Sequence, residues 1–419
     1  MDRGRLPGEN APWPRAASAG GQGARVLQES SEPGGPAQWL GPLLLFTGIF
    51  FVNFTARVVL APLLPAMEAE LGLSHAQAGG LFLFLSLGYF VAIAGSGLVS
   101  QRLGHRGTVL LSALAVGAAM LALSLAPGRW GVTLGMVGLG LAAGLYLPSG
   151  LASLTSLVRP GHWGKAVAVH ELAPNLGFVA APLLAEMLQQ GLSWRGVLAL
   201  LGGCALLLGL AFARWGRGGE FPGQAPSPAA VSRLARQPLL WLMVALFALG
   251  IGSSLGVFTM LPLYLIEERG WPPEQANLLL SLSRVSGLVM ALGAGWAYDR
   301  LGARRTLAMV LCASGLATVC LGLASQGFLV AALFLQPALA VCFFPAGFAA
   351  LSAAAPPELR GLAVSLCTPP AFVLGGGAVP ALIGLLGEHY SFGLGIALVG
   401  GLILCGAALT PLLRPGRSL

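Results

Sequence analysis

From Leu40 onward the chain alternates apolar stretches of roughly 18 to 28 residues with short polar connections. A helix needs about 20 apolar residues to cross the hydrocarbon core of a bilayer. Backbone groups in that core must be satisfied within the segment itself, which leaves the α-helix as the element such stretches can form. The pattern predicts twelve spans: 41–65, 76–100, 108–126, 131–158, 166–188, 196–212, 239–266, 274–298, 307–324, 327–354, 361–387 and 392–413. Charged residues make up 9% of the chain, against about 25% in a soluble domain, so a globule could not cover its surface with them. The expected fold class is therefore an all-α integral membrane protein.

Charge placement tests the count. With the N-terminus inside, eighteen of the 23 basic residues fall in tails and connections on one side, three (Arg129, Arg195, Arg269) on the other, and two (Arg57, Arg284) within spans. That bias is the positive-inside signature and puts both termini in the cytoplasm, in a plasma (inner) membrane. It also accounts for the net charge of +8 without a nucleic-acid partner. Acidic residues gather on the other side, at Glu68, Glu70, Glu267, Glu268 and Glu274. The organisation expected is a disordered cytoplasmic tail over 1–38, a six-helix bundle over 39–212, a cytoplasmic linker over 213–238, a second six-helix bundle over 239–413 and a tail over 414–419.

The two halves repeat. A shift of 198 residues lays Gly72, Gln77 and Ala78 on Gly270, Gln275 and Ala276, and Gly97, Arg102, Gly104, Arg106 and Thr108 on Gly295, Arg300, Gly302, Arg304 and Thr306. Paired six-helix repeats are an architecture of rocking transporters, with the site between the halves at mid-membrane.

The aligned segments GLVSQRLGHRGTVL (Gly97–Leu110) and GWAYDRLGARRTLA (Gly295–Ala308) resemble the signature loop of the major facilitator superfamily, G-x-L-A-D-R-x-G-R-R. The resemblance implies twelve helices in two pseudo-symmetric bundles, transport by alternating access, no enzyme activity and a monomer. It also implies an inner gate built from Asp299, Arg300, Arg304, Arg102 and Arg106. Gln101 replaces the family's acidic residue in the first copy, so Asp299 is the gate residue expected to matter more.

Charges inside spans are costly and mark function. Arg57 lies about 24 Å along its helix from the inner end and Arg284 about 22 Å, one in each half. The guanidinium is permanently charged and suits carboxylates, so two of them facing one cavity would form an anion site. Asn53, Tyr146 and Gln336 are further substrate-binding candidates. His170 and Glu171 sit adjacent about 9 Å inside span 5; one of them is expected to face the cavity and carry a coupling proton. No metal-ligand spacing is present, and no cofactor other than a proton is expected.

A first-span arginine ahead of an LGLS loop is similar to the organic-anion branches of the superfamily, where it binds substrate carboxylate. The arginine of span 8 resembles that of nitrate and monocarboxylate porters but is displaced by about two turns, and the second-span arginine of nitrate porters is missing. Drug antiporters carry a span-4 arginine and a Gly-Pro pair in span 5; this chain has neither. The expected function is proton symport of a small organic anion, with proton-driven export of amphipathic compounds as the alternative. In span 11, CTPPAFVLGGGAVPALIG is expected to form a hinge or a close-packed stretch.

Overall fold

The computed structural model describes residues 36–159, 162–225, 227–356 and 359–413, with backbone alone at 36–38, 288–289 and 291–292. The expected tail at 414–419, and the N-terminal tail through residue 35, lie outside the described residues; the first helix starts at Pro36, within the stretch read as tail. Among the described residues ten helices are long and apolar enough to cross a membrane. Two helices of 51 residues, His75–Leu125 and Pro273–Leu323, each break at a glycine outside the helical region: Gly104 (φ 70°, ψ 168°) and Gly302 (φ 75°, ψ 168°). Only glycine is at ease there. Divided at these breaks, the chain makes twelve crossings.

They are α1 (Trp39–Leu71), α2 (75–103), α3 (105–125), α4 (Gly128–Leu157), α5 (Trp163–Gln189), α6 (Trp194–Trp215), α7 (Pro238–Glu268), α8 (273–301), α9 (303–323), α10 (Gln326–Ala354), α11 (Arg360–His389) and α12 (Phe392–Leu412). The repeat read from sequence is a repeat of backbone geometry. Gly72 and Gly270, which precede α2 and α8, have φ of 60° and 68°, and Gly104 and Gly302 match in the same way. Helix starts follow local chemistry. Ser74 forms a capping box with Gln77, and Ser193 and Ser391 accept from the backbone N–H groups of Gly196 and Leu394.

The GLGLAAG stretch of α4 is a packing surface. A Cβ added at Gly140 would lie 2.8 Å from the backbone nitrogen of Tyr89 on α2. In α11, prolines at 369 and 370 precede a π-helical turn at Val373–Ala378, and α7 carries two more at Gly252–Gly256 and Tyr264–Glu268. The glycines there also bring backbones together: a Cβ at Gly377 would meet Leu83 Cα of α2 at 3.0 Å.

The segment read as a plain linker is partly ordered onto the first half. It contains a short helix at Pro228–Ala235. Before it, the backbone folds over the turn between α2 and α3: His105 N–H donates to Phe221 O (3.1 Å), Arg106 N–H to Gly219 O (2.9 Å) and Gly223 N–H to Ser100 O (2.9 Å).

The halves meet at the end of the molecule that holds the acidic residues. Ala76 N–H donates to Glu388 (3.1 Å), Asn277 Nδ2 to Glu186 (2.9 Å), and Ser281 Oγ to Val179 O (2.5 Å).

Candidate functional site

Arg57 is carried on α1 and is 7% exposed. Its Nε donates to the carbonyl of Asn53 one turn earlier (3.4 Å), and its guanidinium lies over the rings of Phe54 (5.0 Å) and Tyr89 (4.7 Å). No carboxylate pairs with it among the described residues. It opens instead on a narrow free space between the halves. Phe54 and Val58 of α1 and Ser86 and Tyr89 of α2 wall that space on one side; Leu255 and Thr259 of α7 and Phe372 of α11 wall it on the other.

Arg284 of α8 is 9% exposed and otherwise held differently. It donates to the carbonyl of Ser254 (2.8 Å) and to its hydroxyl (3.4 Å). Its guanidinium is flanked by Phe258 of α7 (4.5 Å) and by Phe178 of α5 (4.3 Å), a ring from the opposite half. Phe178 in turn meets Phe54 edge-on at 4.9 Å and Phe258 at 5.0 Å. The two arginines are thus joined through three rings that cross the boundary between the halves. They do not share one opening: Arg57 lines the free space and Arg284 is not on its wall.

The three neutral candidates are engaged within single bundles. Asn53 Nδ2 donates to Ala143 O of α4 (3.2 Å) and Ser112 Oγ of α3 (3.5 Å). Gln336 on α10 donates to Ser253 O of α7 (2.8 Å) and Thr318 Oγ1 of α9 (3.1 Å). Each amide ties together the first, third and fourth helices of its own half. Tyr146 donates to Phe46 O (2.7 Å) and is fully buried in the first bundle. None of the three lines the free space beside Arg57.

His170 and Glu171 differ in burial, although their side chains approach each other. His170 is completely buried, stacked on Phe50 (4.5 Å), with Nε2 3.0 Å from the Tyr146 hydroxyl. That hydroxyl spends its proton on Phe46 O, so its oxygen accepts from His170 and assigns the hydrogen to Nε2. Nδ1 is left without a hydrogen bond, 3.4 Å from a Glu171 carboxylate oxygen. The Glu171 side chain is 48% exposed. It lies two helical turns from Phe178 on the same face of α5, the face turned toward the other half.

Of the residues expected to form an inner gate, two are held within their own halves. Arg106 donates to Ala213 O within its own half (3.0 Å), Arg300 lies over Trp296 (4.6 Å), and Arg102, Asp299 and Arg304 are exposed. The sequence reading missed Phe54, Tyr89, Phe178 and Phe372. Phe54, one turn from Arg57, was the one with a legible signal, because its spacing puts it within reach of the guanidinium.

The sequence profile of the Major Facilitator Superfamily matches residues 46–325 and again 257–418. The D-galactonate transporter of Escherichia coli O6:H1 is 24% identical over 89% of this chain and 94% of its own length. The 4-hydroxybenzoate transporter of Pseudomonas putida is 24% identical over 68% of this chain and 71% of its own. Among solved structures, a bacterial homolog of the human lysosomal transporter Spinster superposes with a TM-score of 0.76 at 16% identity, covering 91% of this chain and 97% of that one. With its twelve crossings, its repeated turns and these matches, the chain belongs to the Major Facilitator Superfamily and is a multi-pass membrane transporter of small molecules, not an enzyme.

Proposed function

We propose that the protein carries a small organic anion by proton symport, with the carboxylate held by Arg57. One observation supports this above the rest: a buried guanidinium, paired with no carboxylate among the described residues, faces the free space between the two halves. A charge at mid-membrane costs about 2.5–3.5 kcal/mol on insertion scales, and an anionic ligand offsets that penalty where no protein carboxylate does. Both relatives named above are described as transporters of carboxylates, which agrees with this reading. A lipophilic cation, as in the export alternative, would meet Arg57 with like charge.

The positive-inside bias orients the arginine-rich end toward the cytoplasm of a plasma (inner) membrane, with both chain ends there. The hydrogen bonds near Glu388 and Glu186 then tie the halves together on the outer side. Closure of the inner side would bring the turns at Arg102 and Arg106 toward Asp299, Arg300 and Arg304, where the carboxylate of Asp299 has arginines to meet. One polypeptide contains both halves of the site, so a monomer suffices.

Glu171 and His170 are the coupling pair. A proton taken by Nδ1 of His170 turns a bare lone pair into a charge-assisted contact with Glu171, and release reverses it. In proteoliposomes, Glu171→Gln is expected to keep carboxylate binding and to lose accumulation driven by an inward proton gradient. Normal accumulation by the variant would make Glu171 structural. The anion reading itself is tested by stabilisation of the purified protein with carboxylates. At about 100 times Kd a ligand stabilises by about 2.7 kcal/mol. Stabilisation by lipophilic cations alone would overturn it.

A further inference from the structure

The wall around Arg57 is aromatic. Phe54 and Tyr89 present their rings to the guanidinium, and Phe82 stands beside them. From the other half comes Phe372, whose centroid lies 5.3 Å from that of Tyr89 at an interplanar angle of 51°. Apart from the Tyr89 phenol, the hydroxyls on the wall are those of Ser86 and Thr259, and Thr259 already donates to Leu255 O (2.8 Å).

We infer that the site takes a monocarboxylate borne on a single aromatic ring, the carboxylate on the Arg57 fork and the ring against Tyr89 and Phe372, and that it disfavours polyhydroxylated acids. This rests on the anion reading above and narrows it. A sugar acid carries a hydroxyl on each carbon of its body, and each one buried here without a partner forfeits its bonds to water. An aromatic ring forfeits nothing of that kind and gains edge and face contacts with rings already in place. Tyr89 belongs to one half and Phe372 to the other. A ring lodged against both is bound more tightly by halves that stand close than by halves that are apart, and that difference in affinity is what lets a ligand drive closure.

The test uses the full-length protein purified in detergent, with radiolabelled benzoate as probe and cyclohexanecarboxylate, D-galactonate and benzamide as competitors. Benzoate is expected to compete about tenfold or more better than D-galactonate, the factor set by a single stranded hydroxyl. It is expected to outcompete cyclohexanecarboxylate about two- to tenfold, the range of an aromatic pair, and benzamide is expected not to compete. Tyr89→Leu and Phe372→Leu should each weaken benzoate by a similar two- to tenfold and leave D-galactonate unchanged. Phe372→Tyr, which keeps the ring, should retain benzoate binding and guards against reading a folding defect as a lost contact. D-galactonate binding as well as benzoate overturns the aromatic site and leaves the anion reading standing. So does cyclohexanecarboxylate at parity, or full preference in both leucine variants. No binding by any carboxylate, or benzamide at parity with benzoate, overturns the anion reading and this inference with it.

Discussion

The shift that relates the halves lays Arg57 on Leu255 and Ser86 on Arg284. Three of these four positions border the same free space; the fourth, Arg284, is turned into protein. The two arginines cost the membrane similarly and are compensated differently. Arg284 has a carbonyl, a hydroxyl and two rings around it. Arg57 has two rings and one long bond to a carbonyl of its own helix. The better-satisfied charge has little left for a ligand, so equal depth does not mean equal role. On the anion reading proposed above, Arg57 meets the substrate and Arg284 holds Phe178 of the opposite half.

Substituting each arginine breaks the comparison most directly. Arg57→Ala is expected to weaken carboxylate binding by about a hundredfold, the upper range for a charge-assisted hydrogen-bonded contact. Arg284→Ala should leave affinity within about threefold, since no ligand contact is removed. It should lower the unfolding free energy by about 1–4 kcal/mol through loss of two desolvated cation–π contacts. Parallel binding and thermal-unfolding measurements on both variants decide it. If Arg284→Ala abolishes binding as Arg57→Ala does, both charges act on one anion and the division of roles is wrong. Phe178→Leu sharpens the same point with a smaller effect: a loss of about 1–2 kcal/mol in stability with carboxylate affinity retained.

The spans, the repeat and the two arginines were legible because each rests on a contrast the sequence preserves: charge against apolar surroundings, or glycine where the backbone leaves the helix. The surroundings of the arginines were not. In a soluble helix the buried face announces itself by polarity, but here lipid and protein interior are equally apolar, and Phe178 reads like any lipid-facing residue. The same loss of contrast hid which of His170 and Glu171 turns inward. It also hid the bonds of Asn53, Tyr146 and Gln336 to neighbouring helices. A polar side chain in a bundle satisfies itself on a neighbouring helix as readily as on a substrate, and sequence spacing alone cannot tell the two apart.

The two signature turns extend the comparison to the membrane surface. Gly104 and Gly302 share their backbone angles, so the turns are alike in themselves. Among the described residues only the first is covered: the linker backbone bonds to His105 and Arg106, and Arg106 also reaches Ala213 O. The first turn is thereby fixed to its own bundle, whereas Arg304 in the second turn is exposed. Arg106→Ala removes one hydrogen bond from a charged donor and should cost about 1 kcal/mol of stability, while Arg304→Ala should fall within about 0.5 kcal/mol of the parent. Denaturation of the two variants in the same detergent measures the difference. Equal losses would mean that the linker adds nothing to the first turn. A loss confined to Arg106→Ala would show that the repeat has been made unequal at the surface, as it has been at the site: one half carries the fixed contacts, and the other is left free to meet them when the inner side closes.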